Sequence, residues 1–223
     1  MPNRTVLITG GARGIGAAIT QTLLTKGFTV VAPPRAQLDL SLPSSVEAYI
    51  AANRELPIDI LINNAGINVL RSIVEIDENS WQSMLQTNLS AALRLTQAYA
   101  PGMQSRGWGR VLNISTIFSL VTKERRAAYS MTKAALNALT RSSAVEFGPS
   151  GVLVNALAPG YVDTALTRQN NSPEAIAAIT ATIPLRRLAN AEELARAAAF
   201  LVSEENTYLT GQTIVVDGGF TCQ

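Results

Sequence analysis

Short apolar runs alternate along the chain with longer stretches of helical periodicity. Thr5–Thr9, Phe28–Ala32, Ile58–Asn63, Arg110–Ser115, Val152–Ala158 and Thr213–Asp217 read as strands. Between the first two, Ile15–Lys26 sets Ile15, Ala18, Ile19 and Leu23 on one helical face, and Gly27 follows as a C-terminal stop. Ser44–Asn53 reads as a helix opened by a capping box of Ser44 and Glu47. Asn79–Gln104 reads as one long helix, with Pro101 as the place for a bend. Ala127–Phe147 and Ala191–Ser203 read as two more helices. The strands lack polar alternation, which predicts burial on both faces and therefore a parallel α/β sheet covered by helices. One place breaks the rhythm. Only Pro33–Gln37 separates the second strand from Leu38-Asp39-Leu40, whereas a parallel neighbour needs a crossover of about a dozen residues. Six strands are expected, with the edge after the second one cut short.

The 223 residues suit one domain spanning residues 1–223, without linker, repeat or low-complexity tract. Apolar residues make up 47% and charged residues 15%, a globular composition. A net charge of +2, with no basic block, argues against a nucleic-acid partner. Cys222 is the one cysteine and there is no histidine, so an intrachain disulfide, a structural zinc site and a histidine-based triad are all excluded. Any acid or base must be Asp, Glu, Lys or Tyr. No run reaches the roughly 18 apolar residues of a membrane span. Met1-Pro2-Asn3-Arg4 leads straight into the first strand, so no signal peptide is expected, and the reading is a cytoplasmic protein with no membrane partner.

The first strand runs into Thr9-Gly10-Gly11-Ala12-Arg13-Gly14-Ile15-Gly16, where a helix begins. Gly10 permits a tight turn, Gly14 lets backbone approach a pyrophosphate, and Gly16 lets helix and strand pack closely. A bare glycine pattern also fits an ordinary turn; its place between first strand and first helix favours a dinucleotide site. Tyr129 and Lys133 stand four apart on a helix and share a face. A nearby ammonium stabilises a phenolate, which would make Tyr129 an acid or base near neutral pH.

In these motifs the chain resembles the short-chain dehydrogenase/reductase family, whose turn is Thr-Gly-x3-Gly-x-Gly. The resemblance continues at Asn63-Asn64-Ala65-Gly66, Asn88, Tyr129-x3-Lys133, Pro159-Gly160 and Asp217-Gly218-Gly219. It implies a Rossmann-like doubly wound sheet and hydride transfer between a nicotinamide and a carbonyl or secondary alcohol. It also implies that Gly10, Arg13, Gly14, Ile15, Gly16, Asn64, Ala65, Gly66, Pro159 and Gly160 line the cofactor, with Val162 and Thr164 against the carboxamide. Asp39 matches an aspartate near the adenine amino group, and the family lysine binds the nicotinamide ribose. The family asparagine at Asn88 holds a water linking the lysine to solvent. The family serine that polarises the carbonyl lies thirteen residues before the tyrosine, which here is Thr116, preceded by Ser115. The region about 165–190 resembles a substrate lid.

Eighteen residues beyond Gly16 lies Pro34, not the acidic residue that would hold NAD ribose hydroxyls, and Arg35 follows. A guanidinium there suits a 2′-phosphate, with Arg13 as a second charge, so NADP(H) is expected over NAD(H); a solvated Arg35 is the plain alternative. The nearest general resemblance is to 3-oxoacyl thioester reductases. Gly107 and Ser150 stand where carrier-protein-docking members often have arginines, and Arg106 lies beside the first. Arg125 and Arg126, in the loop where the family meets substrate, are either solvated or aimed at a substrate anion. A sugar, polyol or other secondary-alcohol dehydrogenase stays open, as does a non-catalytic nucleotide sensor on the same fold. Helices apolar around more than one stripe at 79–104 and 127–147 predict a homotetramer or homodimer.

Overall fold

The computed structural model describes residues 4–222, without the side chains of Leu166 and Asn170. Met1-Pro2-Asn3 and the C-terminal end of the expected 1–223 domain lie outside the described residues. Six parallel strands form one sheet: β1 Thr5–Ile8, β2 Thr29–Val31, β3 Ile60–Asn63, β4 Gly109–Ile114, β5 Val152–Pro159 and β6 Thr213–Val216. Their spatial order is β2-β1-β3-β4-β5-β6. The register runs from Leu7 beside Leu61 to Asn63 beside Asn113 and Ala158 beside Val215. β2 forms the edge, and Leu38–Leu40 forms no strand, as the short connection requires.

Successive strand residues serve opposite layers. Val6, Ile8, Ile60, Ile62, Leu112 and Leu157 pack with Ile19 and Leu23 of α1 (Gly14–Thr25) and Leu194 and Ala198 of α8 (Ala191–Val202). Leu7, Leu61, Val111 and Val154 face the other way. They meet Val46 and Tyr49 of α2 (Pro43–Ala52), Leu95 and Met103 of α4 (Ala91–Ser105), and Ala144 of α5 (Ala127–Phe147). β1, β3 and β4 are thus covered on both sides, while β2 and β6 are only partly covered.

One helix start and the place of another helix's irregularity need correction. α2 starts at Pro43, with Leu42 before it and no side-chain cap. Proline at the first helical position presets φ and moves the start upstream of Ser44. Glu47 instead accepts a 2.7 Å bond from Arg94 Nε on α4. The expected 79–104 helix runs as continuous helical backbone from Glu78 to Ser105: α3 Glu78–Leu85, a π-helical stretch Gln86–Ser90, and α4, which continues through Pro101. The change of pitch lies at Gln86–Ser90, not at Pro101. Two short helices, α6 Ala165–Asn170 and α7 Pro173–Thr182, precede α8. Among the described residues no helix is long and apolar enough to cross a membrane.

Candidate active site

β1 and β2 are neighbours, but β3 lies on the other side of β1, so strand order reverses there. A crevice opens at the carboxyl ends of strands at such a reversal. The glycine turn leaves β1 here, with Gly10 and Gly14 at φ +66° and +54°. Arg13 precedes α1 without a side-chain cap, and no acidic residue occupies the first turn. The first N–H groups are therefore open to an anion. A Cβ on Gly14 would point across the crevice, meeting only Thr164 at 3.7 Å. A Cβ on Gly16 would lie 2.2 Å from the Gly10 carbonyl oxygen, so only glycine lets α1 sit this close to the turn. Asn64 braces the turn: its Nδ2 donates to the carbonyls of Thr9 and Gly10 at 2.9 and 3.1 Å. The N–H groups of Asn64 and Ala65 both donate to Thr9 Oγ1 at 3.1 Å. This cradle of bare backbone, uncapped helix and braced glycines fits a dinucleotide.

Beyond the cradle lies a cavity of about 200 Å³. On its wall the fold brings together Ile15, Asn64, Gly66, Thr116, Tyr129, Lys133, Pro159, Gly160, Val162 and Thr164. Thr116 has extended backbone at the end of β4, and the Tyr129 phenol interacts with its hydroxyl. Ser115 also borders the cavity, but its hydroxyl turns to Ser119 Oγ at 3.2 Å and the Lys133 carbonyl at 3.5 Å. Lys133 is buried, and its Nζ donates to the Ile114 carbonyl at 2.6 Å. Burial pulls the lysine down to about 8. Asn88 stands behind the lysine's cavity wall. Its Oδ1 accepts from Ile67 N–H at 2.8 Å, and its Nδ2 donates to the Ile67 carbonyl and Thr132 Oγ1 at 2.9 and 3.1 Å. The π-helical turn at Gln86–Ser90 is what presents this amide inward.

The family described as enoyl-(acyl carrier protein) reductase matches residues 32–221. The 3-oxoacyl-[acyl-carrier-protein] reductase of Salmonella typhimurium is 33% identical over 233 residues, covering 96% of this chain and 95% of the relative. The chain belongs to the short-chain dehydrogenase/reductase family. Like its relatives, it is an NAD(P)-dependent oxidoreductase. Among solved structures, one described as an NAD(P)-dependent gluconate 5-dehydrogenase from Beutenbergia cavernae, with NADP bound, has TM-score 0.90 and 32% identity. It covers 99% of this chain and 97% of its own. A 4-hydroxyisoleucine dehydrogenase complexed with NADH has TM-score 0.93 and 27% identity, covering 99% and 100%.

Burial raises the Tyr129 phenol above its ordinary value, and the neighbouring Thr116 hydroxyl and the Arg126 charge oppose that rise. Lys133 lines the same cavity. Arg35 is not an isolated cation: its Nε donates to Asp39 Oδ2 at 3.0 Å, while the side chain stays 80% exposed. Asp39 is itself occupied. Its Oδ1 accepts from the Ser41 hydroxyl at 2.6 Å and the Ser41 N–H at 3.0 Å, which with Arg35 hold the carboxyl below the usual range. The cavity also uses Asn68, Phe118, Tyr161, Thr167 and Asn171, none of which the motifs pointed to individually. Tyr161 lies within the Pro159–Thr164 motif, a signal that was there to be used. Asn68, Thr167 and Asn171 carry no spacing signature and reach the site only through loop geometry.

Proposed function

We propose that this chain uses NADP(H) to reduce a small carbonyl compound or oxidise the matching secondary alcohol. The observation that carries this is that Thr116, Tyr129 and Lys133 line one cavity that opens beside the glycine cradle. When bound, the nicotinamide supplies or takes the hydride. Thr116 holds and polarises the substrate oxygen, and Tyr129 gives that oxygen a proton in reduction or takes one in oxidation. Lys133, lowered to about 8, can exchange protons near neutral pH, with Asn88 setting the wall behind it. Arg35 and Arg13, both exposed at the cradle's end, support the 2′-phosphate form of the cofactor. Residues 165–190, which contribute Thr167 and Asn171 to the cavity, act as its lid.

The relatives' names support a 3-oxoacyl thioester as substrate. Carrier-protein docking has less support, because Arg106 Nε is engaged with Asp59 at 3.3 Å. One observation favours a second reading, a sugar, polyol or other secondary alcohol. Asn68 Oδ1 is buried beside the cavity without a donor among the described residues, leaving an acceptor for a substrate hydroxyl.

The test is NADPH oxidation with a short 3-oxoacyl thioester and with polar ketones, beside Tyr129→Phe. Turnover with one class is expected, and kcat/KM is expected to fall by about 10²–10⁴ in the variant. Equal rates in the two proteins would overturn the role of Tyr129.

A further inference from the structure

We propose that Arg126 is the anchor for a carboxylate on the substrate, so that the natural substrates are small oxo or hydroxy acids. This rests on the hydride-transfer reading above and names its substrate class.

Arg126 immediately precedes α5, three residues before Tyr129, and therefore projects on the same side of the helix start. It lies on the wall of the cavity that holds Thr116 and Tyr129, yet it is only 7% exposed. Its guanidinium carbon sits 4.5 Å over the Phe118 ring. Among the described residues it has no ion pair and no side-chain hydrogen bond. Buried charges are as a rule paired, and a guanidinium carries five donors in a fixed fork. A cation held in this way, facing a cavity and lacking a protein anion, is complementary to an anion that arrives with the substrate.

Arg125 shows the contrast. It is exposed, and its charge acts on Glu75 outside the cavity. The loop thus turns one arginine out and the next one in.

The kind of anion follows from the shape of the donor. Lys133 and Arg126 are both on the cavity wall, and Lys133 Nζ already donates to the Ile114 carbonyl, whereas the Arg126 fork has no protein oxygen on it among the described residues. A single planar fork matches a carboxylate, singly charged and planar, better than a phosphate dianion. Phe118 lies under the guanidinium and packs edge to face on Tyr161 of the same cavity, with centroids 5.9 Å apart; Phe220 backs Tyr161 at 5.5 Å. These rings lower the local dielectric and strengthen the pair. An acyl thioester carries no charge near its carbonyl and would leave Arg126 without a partner.

The test compares acetoacetate and levulinate with their methyl esters as substrates, in wild type, Arg126→Gln and Arg126→Lys, with saturating NADPH. Wild type is expected to favour at least one acid over its ester by about 100-fold in kcat/KM. Arg126→Gln is expected to lose about 100-fold more on the acid than on the ester, with partial recovery of that ratio in Arg126→Lys. The far-UV circular dichroism spectrum and the Kd for NADPH report that the variant is folded. Equal loss on acid and ester would overturn the proposal, and would leave Arg126 as a charge acting on Tyr129 alone. If wild type turned over none of the four, the hydride-transfer reading would be the one in doubt. Calorimetric binding of acetoacetate to the NADP⁺ complex would then decide the anchor: binding lost in Arg126→Gln supports it, and no binding to wild type overturns it.

Discussion

Thr116 and Ser115 offer the same hydroxyl one residue apart, and the extended backbone at the end of β4 decides between them because successive side chains point to opposite sides. Thr116 lines the cavity with Tyr129 and accepts from Phe118 N–H at 3.3 Å, and Ser115 goes to Ser119 Oγ and the Lys133 carbonyl. Thr116→Val keeps the shape and removes the hydroxyl, so kcat/KM is expected to fall by about 10²-fold. Ser115→Ala is expected to leave kcat/KM within about threefold and to cost about 1 kcal/mol of stability, read from denaturant unfolding. The reverse ranking in steady-state kinetics would mean that Ser115 holds the carbonyl. At this scale Tyr129, Lys133 and the glycine turn were legible in sequence because chemistry fixes their types and spacing. Which of Arg125 and Arg126 faces the cavity was not, since two adjacent arginines look alike until the loop's path is known.

At the scale of elements, the failures of pattern reading were failures of competition. Ser44 and Glu47 have capping-box spacing, yet Pro43 starts α2 earlier and Arg94 on α4 takes Glu47. The long helix was read through its π-helical stretch because apolar periodicity survives one wider turn. That turn is the device that delivers Asn88 to Ile67. The short link after β2 was read correctly, since chain length alone forbids another parallel strand there. This link also carries Arg35. Because Arg35 is exposed and already paired with Asp39, its contribution is screened. Arg35→Ala is accordingly expected to lower the NADPH-over-NADH preference by about tenfold rather than abolish it, measured as the ratio of kcat/KM values. An unchanged ratio would remove Arg35 from the cofactor site.

For the whole molecule, the order β2-β1-β3-β4-β5-β6 puts the glycine turn, the Asn64–Gly66 segment, Thr116 and Pro159–Thr164 at one end of the sheet. α5 buries one side, with Lys133, Leu136 and Thr140, and leaves Met131 and Val145 at 51% and 78% exposure. Leu93 on α4 is exposed as well. An apolar stripe of this kind suits a symmetric contact with a second copy. Light scattering is expected to find a dimer or tetramer for wild type and a smaller species for Val145→Lys. A monomeric wild type would refute the assembly.

What the sequence determined by itself was whatever is local or combinatorial. Six buried apolar runs, the glycine turn and the Tyr129–Lys133 spacing follow from chain stiffness, helical period and steric demand, and these act within a few residues. The tertiary structure alone decided which groups meet and which charges are already satisfied. Asp39 restrains Arg35, Ile114 holds Lys133, and Arg126 has no ion pair among the described residues on the cavity wall it shares with Tyr129. Those outcomes depend on burial and on partners distant in sequence, where the free energy of a charge is set by its surroundings rather than by its neighbours along the chain.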